Sequence, residues 1–553
     1  MRLNTFSSSS NIPADESVAE NVAQQNKEIA EAYDRQLYES AAFSFSSPLH
    51  LRAAAHLYGL DSVPLIKARV LELGCAGGGN LLPFALAYPE AQVVGVDLST
   101  VQIEQGKELV QELGVHNLHL HAMSLTDISP EFGQFDYIIA HGVFSWIPPE
   151  VRTAMLRVMR ENLSPNGIAY ISYNTYPGWK VGDIIRDAML MHSHGIHDDV
   201  NRLASAKAML DLFSDGIAHN NALAPALGGM VKFLRGMSDH YITHEYLETF
   251  NAPCYLLEFA DLVQQQGMEH VGDAEPQLEL SATFGQNVQL NHSLIAMGQP
   301  RILRQQYLDF AVGRNFRKSI IVHQARAEQI LVKPDIERLV DLRYAGYFEK
   351  TESKGEFHYF ITHNGRDLVT KDPAILAIIN ALTDAWPDTL DFASLLNQAK
   401  TLLQVENDDD AHSDVLTALQ TLFRLNRLVY SIEGSPYDGY NKQAALVRPK
   451  LISSLAHMIE KRKNKSFGIT PHNLWHETVN LKLKEAEQFL LPFINGSYTQ
   501  VQLRTKLRDA LNQGIVPGID GNYLKGQRNL DSVAGEIVQN LLNLLHKVAV
   551  LHK

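Results

Sequence analysis

Between residues 69 and 179, short apolar runs alternate with longer amphipathic segments. Residues 70–73, 91–96, 118–122, 135–140 and 168–173 are rich in Val, Ile, Leu and Tyr, which predicts strands. Between them, residues 80–87, 101–113 and 149–163 carry apolar side chains at helical spacing. Strand and helix in alternation predict βαβ units and a parallel sheet covered on both faces. Residues 27–60 read as helical, interrupted by an irregular aromatic stretch around 43–48. From about 180 to 330 the spacing predicts helices at 181–191, 200–213, 222–237, 241–250, 255–266 and 305–315, with no convincing strand series. Pro253 and Gly267 punctuate them. Farther on, 357–362 and 428–432 alternate like strands, while 374–385 and 414–426 look helical, an order that suggests a winged-helix-like module. Asp408-Asp409-Asp410 reads as a solvated loop. Arg314, Arg317 and Lys318 read as the basic end of a helix, facing solvent or a partner. The changes in pattern divide the chain at 1–30, 31–185, 186–335, 336–445 and 446–553.

A chain of 553 residues is long enough for several such domains. A formal net charge of -14 argues against nucleic-acid binding as the main role. Cys75 and Cys254 are the two cysteines, too few for a disulfide framework, so a reducing interior is expected. The N-terminus has no apolar stretch of the signal-peptide kind, and no run approaches the ~20 residues of a membrane helix. These features predict a cytoplasmic protein without membrane insertion. His192, His194 and His197 lie close together but lack the companions of a metal site, and none is expected.

The chemistry concentrates in Glu72-Leu73-Gly74-Cys75-Ala76-Gly77-Gly78-Gly79-Asn80, a strand end and a glycine-rich turn leading into a helix. Glycine permits positive φ and close ligand approach, and the helix start presents unpaired N–H groups. A second strand ends at Asp97-Leu98, where an acid suits the two hydroxyls of a ribose. A turn and acid of this kind fit NAD, FAD or S-adenosylmethionine. Glu72 favours the last: a carboxylate suits a ligand bearing ammonium and sulfonium, whereas a pyrophosphate wants N–H donors. The turn also holds no basic residue.

This series resembles the class I S-adenosylmethionine-dependent methyltransferases. The resemblance implies an α/β, Rossmann-like, seven-stranded methyltransferase domain, mostly parallel with one antiparallel strand, followed by helical and winged-helix-like domains. It implies that Glu72 and Gly74 hold the methionine part of the cofactor, with Cys75, Ala76, Gly78 and Asn80 also at the cofactor and His141 lining its pocket or acting as a base. Asp97 and Leu98 would take the ribose, and Ser124 and Leu125 the adenine. The family's usual third-strand acid is absent here, with Ser124 near its place, and Ala76 stands where a glycine is common. A narrower resemblance rests on Tyr33-Asp34, Tyr38-Glu39-Ser40, the run His141-Gly142-Val143-Phe144-Ser145-Trp146, the run Tyr173-Asn174-Thr175-Tyr176-Pro177-Gly178-Trp179, and Asp239-His240-Tyr241-Ile242-Thr243-His244. It is similar to bacterial methyltransferases carrying a methyltransferase regulatory domain, among them rickettsial-type protein-lysine methyltransferases, which modify outer-membrane proteins. In these terms 31–185 is the catalytic core and 186–335 a regulatory and dimerisation domain. The implied partners are a protein substrate with accessible lysines and a second copy of the chain.

A lysine acceptor must be neutral to attack a methyl group. With a free pKa near 10.4, only about 1 in 2,500 side chains is uncharged at neutral pH. An aromatic channel disfavours the ammonium and accommodates the alkyl stem. Candidate wall and acceptor residues are His141, Phe144, Trp146, Tyr173, Asn174, Tyr176 and Trp179, with Tyr33 and Tyr38 as a lid over the cofactor. Two other functions fit the same residues: a small-molecule methyltransferase whose later domains serve oligomerisation, and a non-catalytic cofactor sensor.

Overall fold

A computed structural model describes residues 39–248, 250–403, 407–437, 449–463 and 468–551. Its centre is a seven-stranded sheet in the order β3-β2-β1-β4-β5-β7-β6. The strands are β1 (Arg69–Leu73), β2 (Gln92–Asp97), β3 (Leu118–Ala122), β4 (Phe135–Ala140), β5 (Leu163–Asn174), β6 (Met268–Asp273) and β7 (Phe316–His323). β1 to β5 pair in parallel, and β7 runs antiparallel to both β5 and β6. β4 is buried at every position, as a strand covered on two faces must be. Alternation sorts its side chains: Tyr137 and Ile139 join one apolar cluster, Ile138 and Ala140 the other.

The first five strands and their helices lie where the hydrophobic pattern places them. β6 and β7 do not, because no strand was expected between 180 and 330. Both hide their burial behind polar residues. Arg317 on β7 is fully buried, and His270 and Asp273 on β6 are buried too. Arg317 is accommodated because Asp309 accepts from its Nε and Nη2 at 2.8 Å each, and Glu279 accepts at 3.3 Å. So Arg317 is not at the solvated end of a helix. A boundary at residue 185 therefore cuts the sheet. Helices Trp179–His192, Asp199–Asp215, Ala224–Arg235 and Asp239–Tyr246 form their own apolar cluster, but helix Leu256–Gln265 packs Phe259 and Val263 into the sheet core.

The acidic run is also not a loop. It begins helix Asp408–Arg424, where Asn407 accepts the Asp409 N–H at 3.1 Å and acids favour the positive helix end. This helix joins Pro373–Ala385 and Phe392–Leu403 around a three-stranded antiparallel sheet of Arg343–Ala345, Leu390–Asp391 and Val429–Ser431. The C-terminal unit is mainly helical (Pro449–Arg462, Glu485–Leu490, Gln500–Gln513, Leu530–Lys547). Its Leu451, Leu455, Ile469 and Trp475 share one apolar cluster with Val70, Leu82 and Ile103, so it packs directly on the core. No helix among the described residues is long and apolar enough to cross a membrane. Tyr33 and Tyr38 lie outside the described residues.

Candidate cofactor and acceptor site

At the carboxyl ends of β1 to β4 lies a cavity of about 120 Å³. Its walls include Gly74, Ala76, Asp97, Leu98, Met123, Ser124, Leu125, His141, Gly142, Val143, Trp146, Ile147 and Val151. This is where open α/β sheets place their ligands. The turn after β1 is tied across to β2: Gly74 and Cys75 donate to the Val96 carbonyl at 2.8 and 3.1 Å. Gly74 has φ +76°, and a Cβ there would stand 2.5 Å from Val143 Cγ2, so the turn needs glycine for both conformation and space. Asp97 accepts the N–H of Ala76 at 2.8 Å with Oδ2 and that of Ser99 at 2.9 Å with Oδ1. Ser99 then caps helix Thr100–Glu112 by accepting from Gln102 at 3.2 Å. Ser124 accepts the Thr126 N–H at 3.2 Å and so starts the turn after β3.

Glu72, Cys75, Gly78 and Asn80 are not walls of this cavity but lie beneath or beside it. Glu72 is buried, with Oε1 accepting from Asn80 Nδ2 at 2.7 Å and Oε2 without a hydrogen bond. Burial pushes its carboxyl up to about 8, against the pull of the Asn80 bond.

His141 forms the other wall. Its Nδ1 lies 2.9 Å from Ser172 Oγ and 3.1 Å from the Tyr170 hydroxyl. Burial, and then the charge of Lys318, hold its pKa down to about 3, so the imidazole is neutral and a poor base. Phe43, Phe45 and Phe316 surround the ring at 4.1, 5.4 and 6.2 Å. Lys318 Nζ sits 4.5 Å over Phe45. Sequence reasoning missed all four of these neighbours. The aromatic stretch around 43–48 was the available signal for two of them, while Phe316 and Lys318 come from an unrecognised strand.

The remaining candidates are scattered. Trp146 lines the cavity. Phe144 is buried with Arg152 4.7 Å above its ring. Tyr173 is not on a site wall: its side chain turns into the core, stacked 4.2 Å from Phe259, with its hydroxyl 3.2 Å from Ser319 Oγ. Asn174 is buried, and its Nδ2 donates to Asn251 at 3.3 Å. Tyr176 donates to Asp183 at 3.0 Å under the Lys180 ammonium, which is 3.5 Å from its ring. Trp179 packs 5.7 Å from Tyr246 in the core of the helical unit, away from the cavity.

The donor set fits S-adenosylmethionine. Asp97 lies at the cavity wall, where a carboxylate suits ribose hydroxyls, Met123, Leu125, Ile147 and Val151 offer apolar faces to a flat base, and Gly74 leaves room for the amino-acid tail. Among the described residues, no cationic side chain of the kind a pyrophosphate would want lines the cavity.

Comparison with known proteins agrees. A methyltransferase-domain model matches residues 70–167, and a predicted methyltransferase regulatory domain model matches 238–323. The uncharacterized protein RP789 of Rickettsia prowazekii is 30% identical over 92% of this chain and 89% of its own. RP028 of the same organism is 39% identical over 42% of this chain and 94% of its own. The structure of PKMT2 from Rickettsia typhi is similar with a TM-score of 0.77 and 25% identity, covering 93% of this chain and all of that one. A second structure of PKMT2, in complex with AdoHcy, has a TM-score of 0.79 and 24% identity over 93% of this chain and 99% of that one. The chain thus belongs to the class I S-adenosylmethionine-dependent methyltransferases that carry a methyltransferase regulatory domain.

Proposed function

We propose that this methyltransferase transfers its methyl group to the side-chain nitrogen of lysine on a protein substrate of the outer-membrane-protein type, acting in the cytoplasm. The observation that carries this reading is the extent of the likeness to PKMT2, which runs through the helical, winged-helix-like and C-terminal units and covers 93% of the chain. A core of ~150–200 residues, one ordinary domain, suffices for cofactor chemistry, so the shared surplus favours a large acceptor.

Bound S-adenosylmethionine supplies an activated methyl on a sulfonium. The protein's part is to position the acceptor and exclude water. Burial at His141, which Phe43, Phe45 and Phe316 surround, and the nearby Lys318 charge disfavour a further ammonium there and suit the neutral amine that attacks. With its pKa near 3, His141 does not take the amine's proton; the acceptor sheds it to solvent before entering. Exposed Leu290, Leu294, Ile295 and Phe310 on helices Gln286–Ile295 and Arg301–Val312 support assembly with a second copy through this region.

Incubation with methyl-tritiated cofactor and a bacterial outer-membrane protein fraction tests the reading. Acid hydrolysis should release the label as Nε-methylated lysine. Label confined to low-mass compounds, or carried by other residues, would overturn it.

A further inference from the structure

A histidine of the C-terminal unit reaches the cofactor turn. His476 lies between helices Pro449–Arg462 and Glu485–Leu490 and is buried. Its φ of +63° is left-handed, an uncommon conformation for a residue other than glycine. Its Nε2 stands 2.9 Å from Asn80 Oδ1. The orientation of that amide is settled from the other side. Asn80 Nδ2 donates to Glu72 Oε1 at 2.7 Å, and Oδ1 accepts the Phe43 N–H at 2.9 Å. Oδ1 is therefore the acceptor, and His476 carries its proton on Nε2. A donor chain runs from His476 through Asn80 to Glu72. It ends on a carboxylate whose other oxygen is buried without a hydrogen bond, so among the described residues Asn80 alone hydrogen-bonds the Glu72 side chain.

The same C-terminal segment braces the turn at two more points. The Ile469 side chain fills the space at Gly77, where a Cβ would meet it at 2.9 Å. Ser40 donates its N–H to the Gly468 carbonyl at 2.9 Å, and its Oγ accepts the Gly79 N–H at 2.8 Å.

We propose that His476 is a positioning residue of the cofactor site: it fixes the Asn80 amide, Asn80 fixes Glu72 beneath the turn, and the C-terminal unit thereby sets cofactor affinity. The proposal goes beyond the acceptor assignment and does not depend on it, since binding is read without any acceptor. Losing His476 leaves Asn80 Oδ1 with the Phe43 N–H and the more distant Ser46 hydroxyl at 3.3 Å, so the amide is freer to turn away from Glu72.

Calorimetric titration of the full chain with S-adenosylhomocysteine tests it, with melting temperature recorded for each variant in the absence of ligand. His476→Ala should weaken binding about tenfold, the worth of one hydrogen bond to a buried group. His476→Gln, which offers an amide N–H at similar reach, should restore affinity to within about twofold. In a Glu72→Gln background, His476→Ala should cost less than about twofold more, because the group it positions has changed. Parental affinity in His476→Ala, no rescue by Gln, or full additivity with Glu72→Gln would each overturn the proposal. If His476→Ala does not fold, His476→Gln against Asn80→Asp decides. Gln should keep affinity and Asp, which cannot donate to Glu72, should lose it; equal affinities overturn the proposal.

Discussion

The Asp97 carboxylate accepts the backbone N–H of Ala76 at 2.8 Å, joining the acid at the end of β2 to the turn after β1. Ala76 holds this bond from a left-handed backbone, φ +49°. An alanine there costs roughly 1 kcal/mol relative to an unstrained residue. Ala76→Gly should therefore keep cofactor affinity within about threefold and raise stability by about 0.5–1 kcal/mol. Urea denaturation and ligand titration check the pair, and a stability loss would show that the Ala76 methyl packs usefully.

Tyr173 separates a structural role from an acceptor role. Its ring lies in the core and its hydroxyl meets only Ser319 among the hydrogen bonds seen. Tyr173→Phe should cost about 1 kcal/mol of stability while leaving the methylation rate within about threefold of the parent. A rate loss of a hundredfold at unchanged stability would return it to the acceptor site.

Arg317 anchors β7, between β5 and the edge strand β6. It is fully buried against Asp309 and Glu279; among the described residues, removing it leaves Asp309 to Arg314 and Glu279 without an ion pair. Arg317→Met should cost about 3–5 kcal/mol in denaturation. A loss below about 1 kcal/mol would mean that β7 does not depend on this cluster.

Glu72 makes stability depend on pH. Burial raises its carboxyl to about 8, above the unfolded value near 4.3, so the stability it contributes is present at low pH and lost as pH rises through about 8. Glu245, raised to about 7 by burial, adds in the same direction. His141 and His476, both held near 3 by burial, act oppositely, but only below the unfolded histidine value of about 6.5. Between pH 6.5 and 8 the ligand-free protein should therefore lose stability, and Glu72→Gln should flatten that slope by up to about 1.4 kcal/mol per pH unit. Urea midpoints across this range measure it. An unchanged slope would mean that Glu72 is ionised throughout.

The parallel half of the sheet and its turn were legible because strands buried on two faces are continuous apolar runs, and because Gly74 and Asp97 carry a chemistry that few ligands match. β6 and β7 were not legible. Buried Arg317, His270 and Asp273 look solvated in sequence, and their partners Asp309, Glu279 and Ser319 are visible only in three dimensions. The aromatic residues were read too locally. The run from Tyr173 to Trp179 looked like one site, but alternation along β5 and the following helix send Tyr173 and Trp179 into two different cores. Phe43, Phe45 and Phe316, from distant segments, surround His141 instead. The reach of the C-terminal unit to Asn80 had no sequence signal at all.

If the cavity at Asp97 holds the cofactor, affinity depends on the Asp97 carboxylate. Titration of S-adenosylhomocysteine into the parent and into Asp97→Ala tests it most directly. The parent should show saturable one-site binding and the variant an affinity at least about 100-fold weaker, the worth of two hydrogen bonds to a charged group. Equal affinities in two folded proteins would contradict it.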